Sequence, residues 1–357
     1  MTAARRQRLR EAHLDSSVRG LIVTYLPNIH YLTGFSGSNA VLFVSLDDPD
    51  DDVLATDGRY VEQAGVQCPD LPLIVDRGSL DALARSLAGH GIVDVGMEST
   101  ATLVEHRTVL AQLRQVEVVD GWVETLRSLK DEEELAALAQ AGGISVAAFE
   151  ILMREAAPGW SERRMARRLE QIFGELGAQD RAFATIVASG PNAAVPHHEP
   201  SERPLTDGDL VIIDFGAKVA GYHADMTRTA VVGTAAGWQI DLHSAVAEAQ
   251  AAGRAAARPG TDLAVLDDAA RSVLEAAGLG PAFSHGLGHG IGLEIHEAPM
   301  IGARAIGSIP ASTAITIEPG AYLPGRGGVR IEDSLVVRPD GPWVLTEVDR
   351  GLWPIGG

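Results

Sequence analysis

Residues 210–229 read LVIIDFGAKVAGYHADMTRT. Two apolar runs each carry an aspartate, Asp214 and Asp225, where a buried strand should hold no charge. A lone ionised carboxylate is costly to bury, so each needs a partner. Gly216 and Gly221 bracket a reversal between the runs, which makes the stretch a β-hairpin. Side chains alternate along a strand, so Leu210, Ile212 and Asp214 share one face of the first arm. Asp225, Thr227 and Thr229 share one face of the second. Closed in this way, the hairpin brings two carboxylates together on a buried face, as part of a metal site that still lacks ligands.

Three further segments offer those ligands. In His285–Glu297, glycine stands at 286, 288, 290 and 292, which argues against a helix despite the four-residue spacing of His285 and His289. Such glycines let a backbone approach something closely, and no G-x-G-x-x-G nucleotide fingerprint can be laid on them. Glu318 follows the apolar run Ala314–Ile317 and precedes Pro319-Gly320; a solvated strand end is the competing explanation. Glu332 lies inside Val329–Val337, expected to be one strand, where a simple pair with Arg330 competes.

The set is then Asp214, Asp225, His289, Glu318 and Glu332, four carboxylates and one imidazole. Four ionised carboxylates in one buried space would raise one another's pKa, and two divalent cations would balance their charge. Oxygen-dominated ligation with one nitrogen suits Mn, Co, Fe or Zn. Paired ions of this kind activate water, so the chemistry implied is hydrolysis.

The rest of the 357-residue chain frames this centre. A net charge of −19 argues against nucleic acid or an anionic membrane surface as partner. Cys68 is the only cysteine, which excludes an internal disulfide framework and points to a reducing, cytoplasmic location. The charged N-terminal stretch has no signal-peptide core, and no segment is expected to span a bilayer. Residues 1–125 alternate strands with helices, as in an α/β domain, with a turn at Pro27-Asn28. From Trp122 to Met153 the pattern is helical, with Asp131 and Glu134 spaced as a capping box and Gly142-Gly143 expected to interrupt it. Residues 126–357 form the second domain, α+β in class, with antiparallel strands and grouped helices.

At these residues the chain resembles the pita-bread metallopeptidases, in the Xaa-Pro branch of aminopeptidase P and prolidase. IDFG…ADMTRT, SHGLGHGIGLEIHE, IEPGAY and GVRIED occur in the family's order, and TIVASGPNAAVPH, YLTGFSGSNA and TDGRY resemble that branch. The resemblance implies a pita-bread catalytic domain after a creatinase-like N-terminal domain. It implies that the five residues above hold two metal ions, with Asp225 and Glu332 bridging both. It also implies substrate contacts by His285 and His296, a place near the substrate amine for His197 rather than His198, electrostatic support from Arg330, and proton acceptance by Glu318. His296 is the expected oxyanion donor. The implied activity is cleavage of the bond preceding proline at a peptide N-terminus, by a homodimer, with manganese the first expectation among the metals. Dipeptidase and aminopeptidase action stay open. A non-catalytic peptide-binding module of the same fold is the alternative, and the complete ligand set argues against it.

Overall fold

The computed structural model describes residues 2–356, in two compact units that divide between Arg127 and Ser128. The first unit is a six-stranded mixed sheet. Its strands are β1 (Gly20–Val23), β2 (Ala40–Ser45), β3 (Val53–Thr56), β4 (Leu73–Val75), β5 (Asp94–Glu98) and β6 (Gln115–Val119), in the order β4-β3-β2-β1-β5-β6. The helices are α1 (Thr2–Ala12), α2 (Leu26–Thr33), α3 (Val61–Gln67), α4 (Ser79–Gly89), α5 (Leu103–Leu110) and α6 (Trp122–Ser128). The expected turn at Pro27-Asn28 is instead the first turn of α2. Proline is tolerated there because the leading N–H groups of a helix have no partner anyway, and Gly34 at φ 79° ends the helix.

The second unit opens with two helices, α7 (Glu132–Glu155) and α8 (Glu162–Glu175). Asp131 and Glu134 close the capping box that starts α7. The helix runs unbroken through Gly142-Gly143, against expectation. Gly142 is there for packing: a Cβ at that position would strike the carbonyl of Leu345. With 24 residues, α7 is also long and apolar enough to cross a bilayer, which corrects the expectation that no segment is. Its first turn holds Glu132, Glu133 and Glu134, and its apolar face from Ile144 to Leu152 packs into a core cluster with α8.

That cluster lies on a four-stranded sheet of β8 (Ile186–Ser189), β9 (Leu210–Phe215), β12 (Met226–Val232) and β20 (Trp353–Ile355). Strands β9 and β12 pair antiparallel with Asp214 opposite Thr227, Ile212 opposite Thr229 and Leu210 opposite Val231. The reversal between them is longer than a tight turn. Strands β10 (Ala217–Val219) and β11 (Tyr222–His223) leave the sheet and pair with each other, turning at Ala220 and Gly221, both with positive φ, while β10 also pairs with β7 (Asp180–Arg181). Gly216 permits the excursion, since a Cβ there would overlap the carbonyl of Ala224.

A second pair of helices, α9 (Gly237–Ala256) and α10 (Leu263–Ala276), packs on the other half of the unit. Its five-stranded sheet runs β14-β13-β15-β18-β19, from β13 (Gly288–Gly290), β14 (Glu297–Ile301), β15 (Ala314–Ile317), β18 (Asp333–Val336) and β19 (Trp343–Val344). Strands β16 (Gly320–Leu323) and β17 (Gly327–Arg330) form a separate ribbon. The run Val329–Val337 is therefore two strands with a break at Ile331-Glu332, not one. At the break the Glu332 N–H donates to the carbonyl of Thr227 at 3.1 Å. This bond joins the two halves where the carboxylates lie.

Candidate metal centre

Each acidic residue of the centre owes its place to a strand end or a strand register. Asp214 is the fifth residue of β9; Asp225 directly precedes β12, one two-residue step from Thr227 on the same face. His289 is the middle residue of β13, where glycines on either side admit the backbones of Thr316 and Ala298, contacts a Cβ would block. Glu318 follows β15, and its N–H bonds the carbonyl of Leu287 at 2.8 Å. Glu332 occupies the break between β17 and β18.

All five line one cavity of about 780 Å³, together with His197, His285, His296 and Arg330. Oxygen and nitrogen atoms of Asp225, His289 and Glu332 come within 4.8 Å of one another, close enough to hold one metal ion. The Nδ1 of His289 lies 3.0 Å from the Gly290 carbonyl and so carries the ring proton. Its Nε2 lone pair then faces Glu318 at 3.4 Å and Asp225 at 3.7 Å. Burial holds His289 down to about 4, which keeps this nitrogen available.

The carboxylates repel one another. Burial, then the charges of Glu332, Asp214 and Glu318, push Asp225 well above the ordinary carboxylate range. Burial, then Glu318 and Asp214, does the same to Glu332, and Glu318 is pushed up to about 8 chiefly by burial. One cation answers them: Arg330 Nη2 donates to Asp214 Oδ2 at 2.6 Å. The other oxygen of Asp214, Oδ1, and Oδ1 of Asp225 are buried without a hydrogen-bond partner among the described residues. Buried carboxylate oxygens without donors are costly unless a cation takes them. Four carboxylates, one guanidinium, a deprotonated imidazole nitrogen and two open oxygens fit divalent ions, with the oxygen-rich character of hard or borderline metals.

The remaining histidines differ. His285 is engaged on both nitrogens: Nδ1 donates to the Gly286 carbonyl at 2.8 Å, and Nε2 lies 2.9 Å from the Tyr322 hydroxyl. Arg330 Nη1 donates to that hydroxyl at 2.8 Å, so the tyrosine proton points at His285. Burial holds His285 down to about 4. His197 and His296 are exposed in the cavity, and the His296 ring meets His289 edge-on at 4.4 Å. His198, by contrast, turns away to the buried carboxylate of Glu162 at 2.8 Å.

Several hydroxyls that hold the ligands escaped the reading of the sequence. Thr227 Oγ1 donates to Glu332 Oε2 at 2.6 Å and accepts from Arg330 Nε at 3.1 Å. Thr316 Oγ1 donates to Glu318 at 3.3 Å and accepts the His289 N–H at 3.1 Å. Ser334 Oγ donates to the Asp225 carbonyl at 2.6 Å. The signal was present: each stands two residues from a carboxylate, on the same strand face.

Residues 136–339 match metallopeptidase family M24, and residues 5–129 match the creatinase/prolidase N-terminal domain. The chain belongs to metallopeptidase family M24. It shares the family's pita-bread catalytic domain behind a creatinase-type N-terminal domain and is a hydrolase of that family. A solved structure of an Xaa-Pro dipeptidase from Bacillus anthracis superposes with a TM-score of 0.95 at 34% identity, over 99% of this chain and 100% of that one. An X-Pro aminopeptidase from Thermotoga maritima gives 0.91 at 32% identity, covering 98% and 99%. An Xaa-Pro dipeptidase of Pyrococcus horikoshii is 32% identical over 349 residues, 94% of this chain and 95% of its own length.

Proposed function

We propose that this chain cleaves the peptide bond preceding proline at a peptide N-terminus, using two divalent ions held by Asp214, Asp225, His289, Glu318 and Glu332. One observation carries the reading: four carboxylates and His289 line a single cavity, with Glu318 and Asp225 facing the His289 Nε2 and two carboxylate oxygens left without a partner among the described residues. The names of the relatives, Xaa-Pro dipeptidase and X-Pro aminopeptidase, supply the bond. Bound ions would contribute Lewis-acid activation of water and of the scissile carbonyl. Asp225 and Glu332 are suited to bridging, since each is buried and lies in the group that meets His289. Manganese is our first assignment, and a cytoplasmic homodimer is the assembly we propose.

The protein's own groups then divide the work. Glu318 is the least enclosed of the four acids, with 19% of its side chain exposed, and is placed to take the proton of the attacking water. His296 and His197 line the cavity with no hydrogen bond to their ring nitrogens among the described residues, so they can donate to the oxyanion and meet the substrate amine. His285 is held by Tyr322 and fixes the cavity wall. Arg330 ties Asp214 to Tyr322 and to the carbonyl of Pro196, which sets the spacing of three segments at once. The prolyl nitrogen carries no N–H, so the leaving side of the site needs no acceptor for one.

The test compares an Xaa-Pro dipeptide with an Xaa-Pro-Xaa tripeptide, with added manganese and after chelation. Turnover confined to the metal-loaded protein is expected. Equal turnover after complete chelation would sink the metal reading, and the preferred peptide length decides between dipeptidase and aminopeptidase.

A further inference from the structure

Glu162 is the first residue of α8 and is fully buried, yet it does not line the cavity, and none of its side-chain hydrogen bonds among the described residues goes to the five residues of the centre. Six hydrogen bonds converge on it, three to each oxygen. Oε1 accepts from the Ser189 N–H at 2.7 Å, Ser189 Oγ at 2.7 Å and Asn192 Nδ2 at 3.0 Å. Oε2 accepts from His198 Nε2 at 2.8 Å, the Ser201 N–H at 3.0 Å and Ser201 Oγ at 2.6 Å. The donors run from Ser189, the last residue of β8, to Ser201 on the connection that leads toward β9. A buried carboxylate so fully answered is a rigid post rather than an acid in use.

The loop is pinned at a second point. Arg330 Nη1 donates to the carbonyl of Pro196 at 3.3 Å, and the same guanidinium holds Asp214. His197 therefore sits between two anchored neighbours: Pro196, tied to the acidic centre, and His198, tied to Glu162. Its ring lines the cavity and makes no hydrogen bond to the described residues. With no hydrogen bond of its own among the described residues, the His197 ring takes its place from the backbone that its neighbours anchor.

We infer that Glu162 is a positioning residue for peptide hydrolysis, acting through His198 to hold the His197 imidazole over the cavity. The inference rests on the hydrolytic reading above and adds to it a clamp outside the centre. The paired histidines then have opposite duties: one meets substrate, and the other faces away to keep it in place. Proper placement of a group over the reacting bond is worth about 10–100-fold in rate when lost by an ångström or so.

The experiment is a double-mutant cycle on the manganese-loaded full chain, with kcat and KM measured on an Xaa-Pro dipeptide for wild type, His198→Ala, His197→Ala and the double variant. His198→Ala is expected to lower kcat about tenfold, and to have no further effect beyond about twofold once His197 is alanine. His198→Gln, whose amide N–H can reach Glu162 from the Nε2 position, is expected to recover most of the loss. Equal costs of His198→Ala in the presence and absence of His197 would overturn the inference. A parallel readout needs no turnover: hydrogen exchange at the amides of Ser189 and Ser201 should quicken in Glu162→Gln, and unchanged exchange there would refute the clamp. A wild-type protein inactive on every Xaa-Pro peptide would instead defeat the hydrolytic reading itself, a result the cycle cannot be confused with.

Discussion

Two buried polar centres lie one residue out of step on the same strands. On one face of β12, Asp225 and Thr227 turn toward Glu332, and four carboxylates share a single guanidinium. On the other face, Arg228 meets Asp333 with both side chains wholly buried. Arg228 also donates to the carbonyls of Thr227, Glu332, Thr346, Val348 and Asp349. Asp333 accepts in addition from Gln250, Thr346 and Arg350. Neighbouring residues of one strand thus serve a centre that the protein completes and another that it leaves short of positive charge. Glu162 shows a third solution, a buried carboxylate answered by six hydrogen-bond donors, none of them an arginine or a lysine. Only the centre left unbalanced has work for an external ion.

The completed centre should be the one on which the fold depends. Arg228→Met removes one partner of a wholly buried ion pair and one donor from each of five carbonyls, and a loss of about 3–5 kcal/mol in urea unfolding is expected. A loss below about 1 kcal/mol would mean that the two centres do not differ in this way. Asp225→Asn should show the reverse pattern. Activity falls by about 10²–10³-fold, on the scale of losing a main electrostatic group. The chelated protein, however, unfolds at the same denaturant concentration as wild type or a higher one, because one repelling charge has gone. A chelated variant markedly weaker than chelated wild type would break the comparison.

Metal itself should stabilise only through the unbalanced centre. At a hundredfold excess over its dissociation constant, manganese should add about 2.7 kcal/mol to wild type and far less to Asp225→Asn. Thermal melts with and without chelator read this directly. The smallest effect concerns Glu162. Burial alone would raise its pKa, but the bonds from Ser201, Asn192 and His198 outweigh it and hold it at about 2. A carboxyl lowered from its ordinary value stabilises the fold above that value and loses the contribution as pH falls toward 2. The melting difference between wild type and Glu162→Gln should therefore be full at pH 6 and shrink below about pH 4. A difference that grew in acid would reverse the assignment.

Much of this was legible in the sequence because charge in an apolar run is rare. Asp214, Asp225 and Glu332 announced themselves by interrupting strands, and the glycines around His289 announced a close backbone approach. What escaped has a common cause. Thr227, Thr316 and Ser334 are ordinary strand residues, and their role depends on what a distant strand places opposite them. Gly142-Gly143 read as a break because propensity is local, whereas the reason for Gly142 is the backbone of Leu345, two hundred residues on. The break at Glu332 likewise depends on Thr227, which no pattern within 329–337 reveals. Glu162 gave no warning, since a glutamate at the start of a helix is commonplace.

The alternation on β12 also sets what kinds of change this gene can survive. A single codon gained or lost just before Met226 would shift every side chain to the opposite face, delivering Arg228 to the carboxylates and Thr227 to the apolar layer beneath α7 and α8. The excursion from Ala217 to His223 lies outside that pairing and turns at Ala220 and Gly221. Length variation should therefore collect at that tip and be absent from the strand, a contrast that an insertion scan across 217–232 would expose.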